Sequence, residues 1–404
     1  MRTIPLGSDK SPPAADLLAL IGTCVMSLAL FSCGPQSAPD SKRRTVDGHF
    51  ARAIAGQAPR HGSVYSNKEI EVMRARLALN PKDINSRQAL AEALSRIGKF
   101  PEALSELDTI ESARPLRFET AFQRAVTLEQ SGDLPGALAA AEQAVKLQSS
   151  GHVEMGDYFL LRLRWQLNRQ NGTAKPVNFL GIPYDSDPKT TAESPRFRQH
   201  DLVGLLEFFP QFFDGHVTLG DWMLSQDNDQ LAARAYVRAL QLAPEGEDKA
   251  RINRRLHILE EKWQTKAESS LDFVFIPDYR ERINEEFVAV AKWLTNFELL
   301  EQSLVRDLVA PPADSADASP TASDQALAAI KLPTIDEVEK KLKLRNDTGP
   351  AYYHVGLVPS KPSPWRIITG ASPYMWALAG ALTTALWLLW RKVSRTRARK
   401  NYRL

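Results

Sequence analysis

The chain has 404 residues, room for two or three domains, and its 43% apolar and 25% charged content is that of a folded protein. Its two cysteines, Cys24 and Cys33, lie in or at the end of an N-terminal apolar stretch, so the body has no disulfide, thiolate metal site or cysteine nucleophile. The net charge of +3 hides a basic end: residues 391–404 hold seven basic residues and no acidic one, while residues 33–390 hold 42 basic against 46 acidic, which gives no reason to expect nucleic-acid binding.

The first apolar run, Leu17 to Phe31, has 15 residues, short of the roughly 20 that span a bilayer but suited to a signal-peptide core. It ends in Leu30-Phe31-Ser32-Cys33-Gly34, which resembles a bacterial lipobox, with Phe31 where that motif usually has a small residue. Residues 1–33 therefore read either as a signal peptide, with Cys33 the lipidated residue that the resemblance implies, or as a signal anchor left in place. Residues 34–62 read as a disordered polar tether.

Residues 84–117 and 118–151 are two gapless copies of one 34-residue pattern. Gly98, Pro101 and Ala103 realign with Gly132, Pro135 and Ala137, and Ala91, Leu94, Leu107 and Ile110 with Ala125, Leu128, Ala141 and Ala144. A fixed period of this length signals a solenoid, in which each unit buries its apolar face against its neighbours. Glycine at the turn tolerates a left-handed backbone, and proline in the first helical turn loses no needed N–H. The pattern resembles the tetratricopeptide repeat (TPR), a helix–turn–helix unit. On that resemblance residues 63–151 form TPR units, beginning with a half-match at Ile70, Met73, Leu77, Leu79 and Pro81 ahead of the unit at 84–117. A displaced third unit covers 213–246, with Leu219-Gly220, Ala232, Tyr236 and Ala239 at the expected spacings. Asp227 stands there in place of the turn glycine and predicts a different loop.

Residues 152–212 interrupt the register as an irregular helical insertion. A helix over 152–166 carries Tyr158, Leu161 and Trp165 on one face, and prolines and glycines over 168–196 predict a long loop. Leu202 to Phe213 is dense in aromatics (Phe208, Phe209, Phe212 and Phe213) and reads as core that fills the gap in the array. Residues 247–309 read as two capping helices. In the second, Ile283, Phe287, Val290, Leu294 and Phe297 make a stripe that packs on the preceding helix, with a coiled-coil seam as the alternative.

Residues 310–333 read as a disordered linker, because Ala310 to Asp324 has almost no bulky apolar side chain. Residues 334–373 hold a short helix opened by a Thr334/Glu337 capping box, then a juxtamembrane segment that tethers the body flexibly. Residues 374–390, within an uncharged run from Ile367 to Trp390, read as a transmembrane helix, and 391–404 as a basic cytoplasmic tail that places the body on the other side of the membrane.

No pair of histidines has helical metal-ligand spacing, and neither a phosphate-binding glycine loop nor a nucleophile elbow occurs. The expectation is an all-α chain: a short, interrupted TPR-type α-solenoid with capping helices plus a C-terminal transmembrane helix. It binds a protein or peptide partner and uses no cofactor, metal or nucleic acid. The alternatives are a homo-oligomer assembled through residues 247–308, or a tail-anchored adaptor facing the cytosol. By resemblance, the partner groove is lined by first-helix side chains: Asn85, Gln88, Glu92 and Arg96, then Glu119, Phe122, Val126 and Gln130.

Overall fold

The computed structural model describes residues 47–147, 154–172, 176–308, 320–345 and 347–359. Among these the chain is mostly helical, with fifteen helices and one pair of short strands. None of those helices is long and apolar enough to cross a membrane. The signal or anchor over 1–33 with Cys33, the span over 374–390 and the tail over 391–404 lie outside the described residues.

After a short helix, α1 (Gly48–Ala55), come α2 (Ser63–Leu79), α3 (Ile84–Arg96), α4 (Phe100–Ala113), α5 (Phe118–Gln130) and α6 (Leu134–Leu147). Each helix from α2 to α6 packs on the next in chain order. The reason lies in small, buried crossing residues: Ala91, Ala103, Ala125 and Ala137 are all fully buried. Between α3 and α4, Gly98 takes φ 78°, and its N–H and that of Lys99 donate to Ser95 O (3.0 Å) and Leu94 O (2.9 Å). Between α5 and α6, Gly132 takes φ 90°, and its N–H and that of Asp133 donate to Glu129 O and Leu128 O, both at 2.9 Å. These bonds satisfy carbonyls that a helix end leaves without partners.

The insertion begins with α7 (Glu154–Gln170), which packs on α6, and continues through α8 (Pro188–Glu193) to α9 (Gln199–Phe208). The loop between α7 and α8 is pinned by buried carboxylate and amide groups. Asp214, fully buried, accepts from Phe179 N at 2.7 Å and from the Tyr184 hydroxyl at 2.6 Å. Asn178 Oδ1 accepts from Leu180 N at 3.0 Å and Ile182 N at 2.9 Å. A third helix pair follows, α10 (Phe213–Ser225) and α11 (Asp229–Leu242). Its turn is of the same kind as the other two, contrary to what the missing glycine predicts. Asp227 itself takes φ 55°, and Asp227 N and Asn228 N donate to Leu224 O (3.1 Å) and Met223 O (2.9 Å). Aspartate is one of the few residues that visits this region, because its short side chain bonds locally. Where the pair crosses, a Cβ on Gly220 would lie 2.5 Å from the Tyr236 ring.

The C-terminal half folds back on the array. Helix α12 (Glu247–Ser269) packs on α11, and β1 (Phe273–Phe275) leads into α13 (Tyr279–Arg306). At 28 residues, α13 is about 42 Å long. Near its start, Glu286 forms a two-pronged ion pair with fully buried Arg234 of α11, at 2.8 and 2.6 Å. Near its end, buried Glu301 accepts from Gly62 N at 2.8 Å and lies 2.6 Å from His61 Nδ1. Helix α13 thus bridges the third helix pair and the start of α2. Its stripe of Ile283, Phe287, Val290 and Phe297 is buried inside the chain, so the coiled-coil seam is not free. Contrary to expectation, α13 packs chiefly on α1, α2, α11 and the helix at Ile335–Leu344 and not on the preceding helix, which it meets at its start, where the Tyr279 ring lies 5.1 Å from Trp263, edge to face.

Three segments expected to lack structure are ordered where described. Part of the tether over 34–62 is α1, capped by Asp47, with Ala51 and Ile54 fully buried. Part of the linker over 310–333 is α14 (Pro320–Ala328), which lies along α2, where Arg76 donates to Ala328 O at 3.0 Å. Its cohesion comes from Leu327, Ile330 and Leu332, just past the apolar-poor stretch. The capping box forms as expected at the start of α15 (Ile335–Leu344): Glu337 N donates to Thr334 Oγ1 at 3.2 Å and Thr334 N to Glu337 Oε2 at 2.9 Å. The segment after α15 is docked on the body, and its β2 (Leu357–Pro359) pairs antiparallel with β1.

Candidate functional site

A cleft of about 870 Å³ opens between the 56–62 connection, α7, the 208–213 connection, α11 and α13. The proline-interrupted aromatic stretch builds one wall. Phe209 stacks on Phe159 at 5.3 Å, Phe212 meets Trp165 edge-on at 5.4 Å, and Phe208 is 40% exposed at the rim. The segment is mostly core, as its composition suggests, yet one side of it faces the opening. Phe287 and Leu294 of α13 form the opposite wall.

Three arginines enter this aromatic frame from distant parts of the chain. Arg162 of α7 is buried; its guanidinium lies 3.6 Å from the Phe209 ring centre and donates to Glu129 Oε1 at 2.6 and 2.5 Å. Burial pushes its pKa down to about 10, against the pull of Glu129. Arg60 lies 5.7 Å from the Phe208 ring and donates to the carbonyls of Glu207 (3.1 Å) and Phe208. Arg238 of α11 lies 5.5 Å from the Phe287 ring and donates to Gln241 Oε1 at 3.2 Å, and its Nε has no hydrogen-bond partner among the described residues. Burial lowers the pKa of both Arg60 and Arg238, and no carboxylate offsets it. Arg238 also reaches Gly56 at the C-terminal end of α1, where helix carbonyls supply partial negative charge. Glu298 is the one carboxylate on the cleft wall among the described residues.

The eight side chains expected from the repeat resemblance do not line this cleft. Asn85, Glu92, Arg96, Glu119 and Gln130 are exposed. Arg96 pairs with Glu69, Gln88 donates weakly to Glu92 at 3.5 Å, and Gln130 accepts from Ser95 Oγ at 2.8 Å. Val126 is buried core, and half-buried Phe122 packs on Phe159 and Phe208 at 5.2 and 6.2 Å. Arg60, Arg162 and Arg238 were not legible as a set. The partial signal was Arg162, set inside the apolar face of Tyr158, Leu161 and Trp165.

A second arrangement handles extended backbone. Gln230 of α11 is buried and holds residues 355–357: its Oε1 accepts from Val355 N at 2.6 Å, and its Nε2 donates to Val355 O at 2.9 Å and Leu357 O at 3.2 Å. Arg234 donates to Tyr353 O, and Tyr352 donates to Gln57 Oε1 at 2.8 Å. Gly356, at φ 66°, lies so close to the Trp263 ring that a Cβ there would overlap it. The third helix pair therefore grips a stretch of its own chain through main-chain atoms.

Set against known proteins, the chain matches no family, no curated protein and no solved structure.

Proposed function

We propose that this protein is a membrane-anchored scaffold of TPR type, which holds a protein or peptide partner on the non-cytoplasmic side and does no chemistry itself. The observation that carries the reading is the turn geometry. One pair of backbone hydrogen bonds recurs at Gly98, Gly132 and Asp227, each inside a helix pair with buried alanine at the crossing. Such units commonly present side chains to a bound segment, by analogy of fold. The anchor rests on sequence: the uncharged run from Ile367 to Trp390, followed by Arg391 and Lys392, gives the tail a cytoplasmic side.

Photocrosslinking in native membranes tests the scaffold. A crosslinkable residue at Gln88 or Ala291 should capture a defined partner, and failure at both positions would remove the reading. Protease added to spheroplasts should cleave the body; protection would reverse the topology. Labelling with a palmitate analogue, lost in Cys33→Ser, decides between lipoprotein and anchor.

A further inference from the structure

The arginine-and-aromatic cleft has a charge pattern that its own chain leaves open. Arg60 and Arg238 carry no ion pair among the described residues, and Arg238 Nε is buried with no partner. An isolated cation held partly out of water is costly, so such groups are normally paired. The aromatic faces already take part of the role by cation–π contact, and each guanidinium has more N–H groups than it gives to Glu207 O and Phe208 O (Arg60) or to Gln241 Oε1 (Arg238). Between the two arginines lie apolar walls, Phe209 and Phe212 on one side and Phe287 on the other. The volume suits a few amino-acid residues, since pockets of roughly 300–1,000 Å³ enclose small ligands.

We infer that this cleft takes an acidic peptide segment of the partner, with carboxylates paired to Arg60 and Arg238 and an apolar side chain seated between Phe209, Phe212 and Phe287. Arginine suits this task, because its guanidinium stays charged and offers five N–H donors in a fixed planar array, more than the chain itself uses at either residue. A compact anion would leave the aromatic walls uncovered, and a purely apolar segment would bury both cations unpaired. Arg162 does not compete for the ligand, because Glu129 holds it. It stiffens the Phe209 face from beneath.

The inference rests on the scaffold reading and fails separately from it. The probe is the fluorescein-labelled hexapeptide GDLFEG, with GNLFQG as its neutral counterpart, measured by anisotropy on the full chain in zwitterionic nanodiscs. The acidic probe should bind at least about tenfold tighter, and Arg60→Gln and Arg238→Gln should each lower its affinity about tenfold. Arg60 is exposed, so its variant folds; Arg238→Lys keeps the charge, loses the planar array and should fall between wild type and Arg238→Gln. Added salt should weaken the acidic probe and leave the neutral one unchanged. Equal binding of the two probes overturns the inference, as does acidic binding that neither substitution changes. Arginine-dependent binding of phosphatidylglycerol vesicles without peptide binding would assign the cleft to lipid instead. A partner that crosslinks at Gln88 and not at Ala291 would leave the scaffold standing and remove the acidic segment from this cleft.

Discussion

Gln230 and Val355 exchange two hydrogen bonds across 125 residues of sequence, Val355 N to Oε1 at 2.6 Å and Nε2 to Val355 O at 2.9 Å. A primary amide copies the donor and acceptor of a peptide group, so this one side chain acts as a strand neighbour. Replacing it by alanine leaves a buried N–H and two carbonyls without partners, a loss of about 1–3 kcal/mol. Gln230→Ala should therefore speed amide hydrogen exchange across residues 352–358 while α3 to α6 keep their protection. Unchanged exchange in 352–358 would mean that Gln230 does not hold the segment.

Gly220 is needed for its missing side chain. With a Cβ 2.5 Å from the Tyr236 ring, Gly220→Ala must push α10 and α11 apart. Overpacking of this kind costs about 1–3 kcal/mol, visible as a lowered Tm. Tyr236→Leu in the same chain should recover part of the loss, because it removes the ring that the Cβ meets.

Asp227 supplies a sharper backbone test. Its left-handed φ of 55° is tolerable for aspartate and costs roughly 1–2 kcal/mol for most other side chains. Asp227→Val should lower thermal stability by that order, whereas Asp227→Gly should stay near wild type. The exposed ion pair to Lys262, at 3.0 Å, that glycine gives up is worth little. A valine variant as stable as the glycine variant would show that the turn is not held left-handed.

Two buried groups pull stability in opposite directions with pH. His216 donates from Nε2 to Pro210 O at 3.0 Å, and burial lowers its pKa to about 3. Between pH 6.5 and 3 the unfolded chain takes up a proton that the folded chain refuses, so this group removes stability as pH falls. For Asp214, burial raises the pKa to about 7 against the hydrogen bonds from Tyr184 and Phe179. Between pH 3.8 and 7 the folded chain holds a proton that the unfolded one has released, so this group removes stability as pH rises. In urea melts, His216→Gln should gain on wild type progressively below pH 6.5, and Asp214→Asn should gain progressively from pH 4 to 7. Parallel pH profiles for wild type and variant would refute either assignment.

The repeats were legible because their determinants are local. Gly98 and Gly132 mark turns by residue type, Ala103 and Ala137 mark crossings, and Thr334 with Glu337 spells a helix start within four positions. Asp227 takes the same conformation as the glycines under a different name, so residue type alone hid the likeness. The docking of residues 347–359 was not legible, because Gln230 and Arg234 read main-chain atoms, which every residue possesses. The proline and glycine content there suggested a loose tether, yet Gly356 is what lets the chain pass over Trp263. The cleft was half legible. Its aromatic wall is contiguous in sequence, but Arg60, Arg162 and Arg238 lie on three segments that only the fold brings together.

Antiparallel pairing of Phe273 with Pro359, Val274 with Val358 and Phe275 with Leu357 has a mechanical consequence. Tension arriving along the chain from beyond Pro359 meets these short strands first, then the Gln230 amide, and only afterwards the buried Arg234–Glu286 pair. Such a series yields in steps. A weak pull would peel the strand and spare the helices, while a stronger one would draw Tyr352 and Val355 from their seats and loosen the wall that α13 lends to the cleft. The third helix pair is thereby the part of the body that such a pull would reach through Gln230 and Arg234.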